Sequence, residues 1–293
     1  MSRRLALLVN PAAAGGKARE AVAPVRAELE RLGADFRVIE TESGDHAREV
    51  AAGLADGGET VVAVGGDGLV GTLAGALCRR EAALAIVPSG RGNDFARVLG
   101  IPTDPAAAAR VAYEGEELPV DVGQVDGKSF VGIASFGFDS DANRIANDAK
   151  LIRGNLVYFY AGLRALVQWR PARFEVVVDG QAHPFSGFGA AIGNSKAYGG
   201  GMYLFPHAEL DDGQLDVLLA HEQPKLRFVR STMLKVFKGT HVTEPSLTFL
   251  KGEVVEVSSD RPFTIYADGD PLADMPATIR VVRQALRVVV PPA

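Results

Sequence analysis

The sequence predicts an α/β domain followed by a mainly antiparallel β domain, and three observations carry that expectation. The first third alternates short apolar runs with segments whose apolar residues recur at helical spacing, the signature of a parallel sheet with crossover helices. Glycine-rich or Asn/Asp-rich loops follow these apolar runs, where a parallel sheet binds its ligands. Beyond about Gly123 the runs come in pairs joined by Asp-Gly turns. A length of 293 residues suits two domains, expected at 1–122 and 123–293, with the last strand free to return to the first domain.

Residues 5–9 read as a buried strand, followed by Val22, Val25, Leu29 and Leu32 on one helical face. Residues 35–41 form a second strand, and Ser43 is an N-cap for a helix ending near Ala55. Strands are expected at 60–64 and 82–87, and Asp104-Pro105 supplies a cap and an N1 proline for a helix reaching about Tyr113. Asp126-Gly127 and Asp179-Gly180 sit between β-rich runs and predict hairpins. Further strands are expected at 215–219, 247–250, 254–258, 263–267, 278–282 and 286–290.

Composition excludes several classes. A chain that is 47% hydrophobic and 23% charged is an ordinary globular one, and a net charge of −5 argues against a general nucleic-acid binder. Cys78, the single cysteine, lies in an apolar run, is expected in the core, and fits a reducing compartment. The five apolar residues after Met-Ser-Arg-Arg are too few for a signal peptide. The apolar stretch 156–169, interrupted by Arg164, is too short to span about 30 Å of hydrocarbon. The expected location is therefore the cytoplasm. The five histidines show no metal-ligand spacing.

The loops carry the chemistry. Asn10-Pro11-Ala12-Ala13-Ala14-Gly15-Gly16-Lys17 closes the first strand and opens a helix, so its amides attract phosphate and Lys17 adds a charge, unless the segment is only a turn. It lacks the spacing of a Walker A loop. Gly65-Gly66-Asp67-Gly68 invites close backbone approach to a ligand, with Asp67 available to a metal, a ribose or substrate hydroxyl, or simply to a turn. Gly90-Arg91-Gly92-Asn93-Asp94 follows another strand, and Asn93 and Asp94 are helix caps or ligand groups. Asp212 suits an oxygen-ligated divalent cation or a plain Asp-Gly turn. Asp268-Gly269-Asp270 places two carboxylates after a strand, where one can take a hydroxyl proton during phosphoryl transfer or cap an exposed hairpin.

In this order, Val9-Asn10-Pro11, Gly65 to Gly68, Gly92-Asn93-Asp94-Phe95-Ala96-Arg97, Tyr198-Gly199-Gly200-Gly201, Asp212-Gly213 and Asp268-Gly269-Asp270 resemble the diacylglycerol kinase family of soluble bacterial lipid kinases, related to sphingosine and ceramide kinases. The resemblance covers about 9–272. It implies an α/β nucleotide-binding domain followed by a β-sandwich, with the active site in the interdomain cleft, and transfer from ATP to diacylglycerol in phospholipid biosynthesis. By the same resemblance, ATP and its Mg2+ would lie among Asn10, Pro11, Ala12, Ala13, Ala14, Lys17, Thr41, Gly65, Gly66, Asp67, Gly68, Thr72, Gly90, Gly92, Asn93, Asp94 and Arg97. Asp270 would be the general base with Asp268 close by, and a structural magnesium would sit on Asp212 and the carbonyls of Glu209 and Gln214. The chain departs from the family pattern at Leu69, Gly71 and Thr72, at Arg91 where threonine is usual, and at Asp270 where glutamate is usual.

Other acceptors stay open, namely phosphatidylglycerol, a sphingoid base, ceramide or an isoprenoid alcohol. An NAD kinase shares the Gly-Gly-Asp-Gly loop but lacks the run Gly92 to Arg97, and the retained acids argue against a non-catalytic lipid-binding relative. The lipid substrate implies peripheral membrane contact. The stretch 225–238, with five basic residues and no acid, is the candidate surface, although a helix packed on the sandwich with a solvated basic face is the favoured reading. Residues 151–169 carry the same choice between core and acyl channel at Tyr158, Phe159 and Trp169, with core favoured. The sequence leaves the oligomeric state, a homodimer included, open.

Overall fold

A computed structural model describes residues 3–11, 16–148 and 156–292. The first unit runs β1 (Arg4–Val9), α1 (Lys17–Arg31), β2 (Asp35–Glu40), α2 (Gly44–Asp56), β3 (Thr60–Gly65), α3 (Asp67–Leu77), β4 (Ala83–Pro88), α4 (Asp94–Val98) and α5 (Pro105–Glu114). Its strands pair in parallel in the order β2-β1-β3-β4, as the alternating periods require. The Ser43 side chain accepts from the His46 amide and Asp104 from the Ala107 amide, so both expected caps form. β1, β3 and β4 are buried almost throughout because helices cover both faces of the sheet. Cys78 is half-buried at the rim of this core rather than inside it, because it terminates α3.

The second unit begins with the hairpin β5 (Glu116–Val125) and β6 (Lys128–Phe130), then β7 (Ile133–Gly137), α6 (Phe138–Asp148) and α7 (Leu156–Gln168). The hairpin β8 (Ala172–Val178) and β9 (Gln181–Gly193) follows, then β10 (Leu215–His221) and the single turn α8 (Lys225–Phe228). It closes with β11 (Leu247–Gly252), β12 (Val254–Ser259), β13 (Thr264–Ala267), β14 (Asp270–Asp274) and β15 (Ala277–Val290). Asp126-Gly127 and Asp179-Gly180 make the expected turns, all four residues at positive φ, the geometry that Asp-Gly tolerates best. β9 lies on β8 in its first half and between β7 and β10 in its second, so one long strand serves both layers of the sandwich.

Two segments differ from expectation. Residues 278–290 form one strand rather than two: the register merely shifts between Val282 and Leu286, where Gln284 takes φ 47°. That bulge is held by the buried carboxylate of Asp121, whose Oδ1 accepts the Gln284 amide at 2.7 Å while Oδ2 accepts the Gly213 amide at 2.7 Å. β15 then pairs with β12 at one end, with β4 at the other, and with β5 along both halves. The stretch 225–238 is likewise not one helix. α8 gives way to a π turn at Val229–Met233 and a 3-10 turn at Val236–Lys238, while Phe228, Thr232 and Val236, four residues apart, keep one face in the interior.

The sandwich core is aromatic. Trp169 is buried against Phe138, Phe188 and Phe263, and Phe188 stacks on Phe228 at 3.9 Å between centroids. Trp169 is therefore core, while the side chains of Tyr158 and Phe159 lie outside the described residues. No helix of the described residues is long and apolar enough to cross a membrane.

Candidate active site

The carboxyl ends of β1 to β4 all open on one edge of the first unit, and the chain passes from β1 to β2 on one side and then from β2 to β3 on the other, which makes the crevice beside β1 the switch point. Asn10 and Pro11 leave β1 there, and Lys17 opens α1 with its side chain exposed. Ala12, Ala13 and Ala14 lie outside the described residues. Thr41, at the end of β2, is buried and returns to β1: its amide donates to the Val9 carbonyl at 2.8 Å and its hydroxyl to the same oxygen at 3.3 Å. Thr72, one turn into α3, donates its hydroxyl to the Gly68 carbonyl at 2.8 Å.

The two glycine-rich loops interlock by backbone contact. A Cβ on Gly66 would stand 2.9 Å from the Gly90 Cα, so neither loop tolerates a side chain at the crossing. Asp67 begins α3, yet its carboxylate reaches across to the next loop, Oδ2 accepting the Asn93 amide and Oδ1 the Asp94 amide, each at 2.7 Å. It thus caps α4 rather than its own helix. Asn93, at φ 51°, closes its loop by accepting the Gly90 amide at 2.9 Å. A Cβ on Gly92 would lie 2.7 Å from Asp67 Oδ2 and 3.1 Å from Asp94 Oδ2, so this glycine keeps two carboxylates close together.

Asp94 faces the second unit. Its Oδ2 accepts the Gly200 amide at 2.7 Å from the loop that follows Tyr198, and Arg97 Nε stands 3.9 Å from Oδ1. Oδ1 is buried without a hydrogen-bond partner. Burial raises the Asp94 pKa, the neighbouring Asp67 charge adds to the rise, and the Gly200 amide opposes it. Arg97 also donates to the Gly92 carbonyl at 3.0 Å, holding the loop to its helix.

Asp268 completes the cleft from the other side. Asp268-Gly269 is the two-residue turn of the β13–β14 hairpin, and its carboxylate turns inward to accept the Val131 and Gly132 amides, both at 3.0 Å. Burial pushes its pKa up to about 6, with the Asp67 charge acting in the same direction and the two amides against it. Some of the Asp268 residue surface does remain accessible. A side chain on Gly71 would begin 3.6 Å from Asp268 Oδ2, so the departure at Gly71 leaves α3 open toward this acid. Leu69 folds back over Gly65 and packs on the core, which accounts for that departure by packing. Asp270 opens β14 and is exposed. Nothing in the structure explains Arg91, which is exposed in its loop.

Asp212 stands apart. Lys251 Nζ lies 2.8 Å from its Oδ2 and 3.6 Å from Asp216 Oδ2, and the Gln214 amide donates to its Oδ1 at 2.9 Å. The hollow beside it, about 220 Å3, is lined by Asp121, Asp211 and Asp212 but also by Arg283. Among the described residues no group of three or more His, Cys, Asp or Glu side chains converges on one point. That is compatible with magnesium in the cleft, because this ion keeps several waters and takes one or two carboxylates with substrate phosphates. The unpartnered Oδ1 of Asp94, beside Asp67, is a donor of that kind.

Two acids that no sequence motif marked, Asp121 and Asp139, are tied into the second unit, as is Asn194 of the Gly193-Asn194 segment. Asp121 is an acid between two valines of β5, the one signal that could have marked it. Asn194 is buried and donates to the carbonyls of Asp121 at 2.8 Å and Val131 at 3.3 Å. Asp139 accepts from Ser135 and, at 3.4 Å, from the Tyr198 hydroxyl, and burial raises the pKa of both Asp139 and Tyr198.

Comparison with known proteins agrees with this architecture. Residues 4–125 match the family described as the diacylglycerol kinase catalytic domain, and residues 132–290 the YegS C-terminal NAD kinase beta sandwich-like domain. The chain is 34% identical over 298 residues to a protein named "Diacylglycerol kinase" from Mycobacterium tuberculosis (strain ATCC 25618 / H37Rv), covering 98% of this chain and 95% of that one. It is 36% identical to "Probable lipid kinase YegS-like" from Pseudomonas aeruginosa (strain ATCC 15692 and its synonyms), over 85% of this chain and 82% of the other. A crystal structure of a diacylglycerol kinase from Bacillus anthracis str. Sterne shares the fold, with a TM-score of 0.76, 22% identity, and coverage of 99% and 97%.

Proposed function

Because the chain belongs to the diacylglycerol kinase family and is a lipid kinase, we propose that it transfers the γ-phosphate of ATP to a lipid hydroxyl, with diacylglycerol the acceptor and phosphatidic acid the product. The observation that carries this reading is the meeting of Asp67 and Asp94, from two loops of the first unit, with Asp268 of the second across one cleft. Phosphoryl transfer needs little more from a protein than positioning and charge control, and this cleft has the parts for both.

In the proposal the loops after β1, β3 and β4 receive the nucleotide, with Asn10, Pro11, Lys17, Thr41, Thr72 and the glycines at 65, 66, 68, 90 and 92 around it. The glycine crossing at Gly66 and Gly90 brings bare backbone to the ligand, and Lys17 supplies a point charge at the start of α1. Asp94 Oδ1, Asp67 and the nucleotide phosphates would hold magnesium, which when bound offsets negative charge on the transferring group. Asp270, exposed at the mouth, takes the acceptor's proton, while Asp268 pins the turn that presents it. At Asp212, where a magnesium with Glu209 and Gln214 carbonyls was expected, Lys251 serves as the cation in this reading. The lipid is taken from a membrane by a peripherally bound enzyme.

The test is transfer of labelled phosphate from ATP with magnesium to a panel of lipids in mixed micelles, beside Asp270→Asn and with NAD as a control acceptor. Labelled diacylglycerol and a variant slowed at least about a hundredfold are expected. Labelling of another lipid alone would reassign the acceptor; labelling of none, or of NAD, would overturn the reading.

A further inference from the structure

Among the described residues, six large apolar side chains are exposed, and all six lie on two elements. Tyr160, Leu163 and Val167 line one face of α7, opposite the buried Ala161, Ala165 and Leu166, while Leu226, Leu234 and Phe237 project from the broken helical stretch 225–238. The two elements touch. Lys225 Nζ donates to the Val167 carbonyl at 2.8 Å, and a Cβ on Gly162 would sit 3.4 Å from the Met233 methyl. A soluble surface scatters such residues singly, so their confinement to one place marks a contact site.

The charge around them is one-sided. Lys225, Arg227, Arg230, Lys235 and Lys238 stand between the apolar side chains, and Arg164 extends from α7, in a chain whose net charge is −5. An open hollow of about 430 Å3 between Leu226, Arg227, Arg230 and Lys235 has one acid on its wall, Glu244, which is already paired with Lys235. Exposed apolar tips interleaved with arginines that no acid among the described residues neutralises are what an anionic interface selects. The apolar groups enter the acyl boundary and the cations meet the phosphates.

We propose that this joint face of α7 and residues 225–238 is the surface by which the enzyme docks on an anionic phospholipid bilayer. The proposal takes from the lipid-kinase reading only a reason to visit a membrane. One short stretch does two jobs: Phe228, Thr232 and Val236, four residues apart on one face, anchor it to the sandwich, while Leu226, Leu234 and Phe237 face outward.

The experiment is sedimentation of the full chain with sucrose-loaded vesicles of phosphatidylcholine alone or with phosphatidylglycerol, without ATP or diacylglycerol. Wild type is compared with the doubles Leu226→Ser/Phe237→Ser and Arg227→Glu/Arg230→Glu, and thermal melts check that each folds. All four positions are exposed, so the melts should match. The wild type is expected to partition onto anionic vesicles at least about tenfold better than onto neutral ones, and each double to lose at least about tenfold. Equal partition of wild type onto both vesicles, or doubles that bind like wild type, overturns the proposal. So does a wild-type dimer that Leu226→Ser/Phe237→Ser turns into a monomer in size-exclusion chromatography while vesicle binding is absent. If wild type binds anionic vesicles but labels no lipid in the micelle assay, the docking surface stands and the kinase reading fails.

Discussion

The chain carries two clusters of acids, and they are satisfied in opposite ways. In the cleft, Asp67, Asp94 and Asp268 are held by backbone amides, which fix the oxygens without cancelling their charge, and Arg97, 3.9 Å from Asp94, offsets that acid only in part. Beside β10, Asp212 and Asp216 share the ammonium of Lys251, which cancels much of it. The first arrangement costs stability, since burial raises the pKa of Asp94 and Asp268. The second is offset in part: burial raises the Asp216 pKa as well, but the Lys251 charge opposes the rise. Pre-positioned acids whose charge is offset only in part are where an incoming cation gains most, and the cost of keeping them so points to a functional site.

Neutralising the cleft should do the most damage. Asp94→Asn keeps an acceptor for the Gly200 amide but removes the charge, so phosphate transfer should fall about a thousandfold while Tm holds or rises. Retention of activity within a few-fold would break the contrast. Gly92→Ala comes next, because its methyl would press on Asp67 and Asp94. A loss of about 10 to 100-fold, mainly through KM for ATP, is expected in steady-state kinetics.

The pH dependence separates activity from stability. Asp268 has its pKa raised from 3.8 to about 6, so its ionised form is the costly one in the fold. Its contribution to stability is full below about 4 and is lost as pH rises through about 6. Activity should run the other way. Protonation as pH falls through about 6 removes an acceptor from Val131 or Gly132, and Asp268→Asn should abolish that acid limb in the profile of kcat/KM. The smallest effect belongs to the other cluster. Lys251→Ala should lower Tm by a few degrees with little change in activity, and magnesium should then restore Tm in the variant but not raise it in wild type. A magnesium-dependent Tm in wild type that survives Asp94→Asn but is lost in Asp212→Asn would show that the ion competes successfully with Lys251.

The elements of the first unit were legible because buried parallel strands and amphipathic helices announce themselves by period, and the loops between them fell where strand ends put them. What escaped depended on distant partners. Nothing near Asp121 reveals that it will hold Gly213 and Gln284, and without that knowledge Arg283-Gln284-Ala285 reads as a strand end instead of a bulge. Asp67 was legible as important, yet its partner loop lies a full βα unit away, so the crossed capping of α4 was not. At 225–238 a membrane surface and a packed helix both fitted the sequence, and packing alone shows which apolar residues there and on α7 are left over.

The bulged strand β15 has a consequence for biosynthesis. The first unit's sheet ends at β4, and the strand that covers that edge is translated only after the whole sandwich. On the ribosome the nucleotide-side unit must therefore wait with β4 and β5 unclosed, and a chain truncated before residue 277 would lose the closing strand of its earliest-made part.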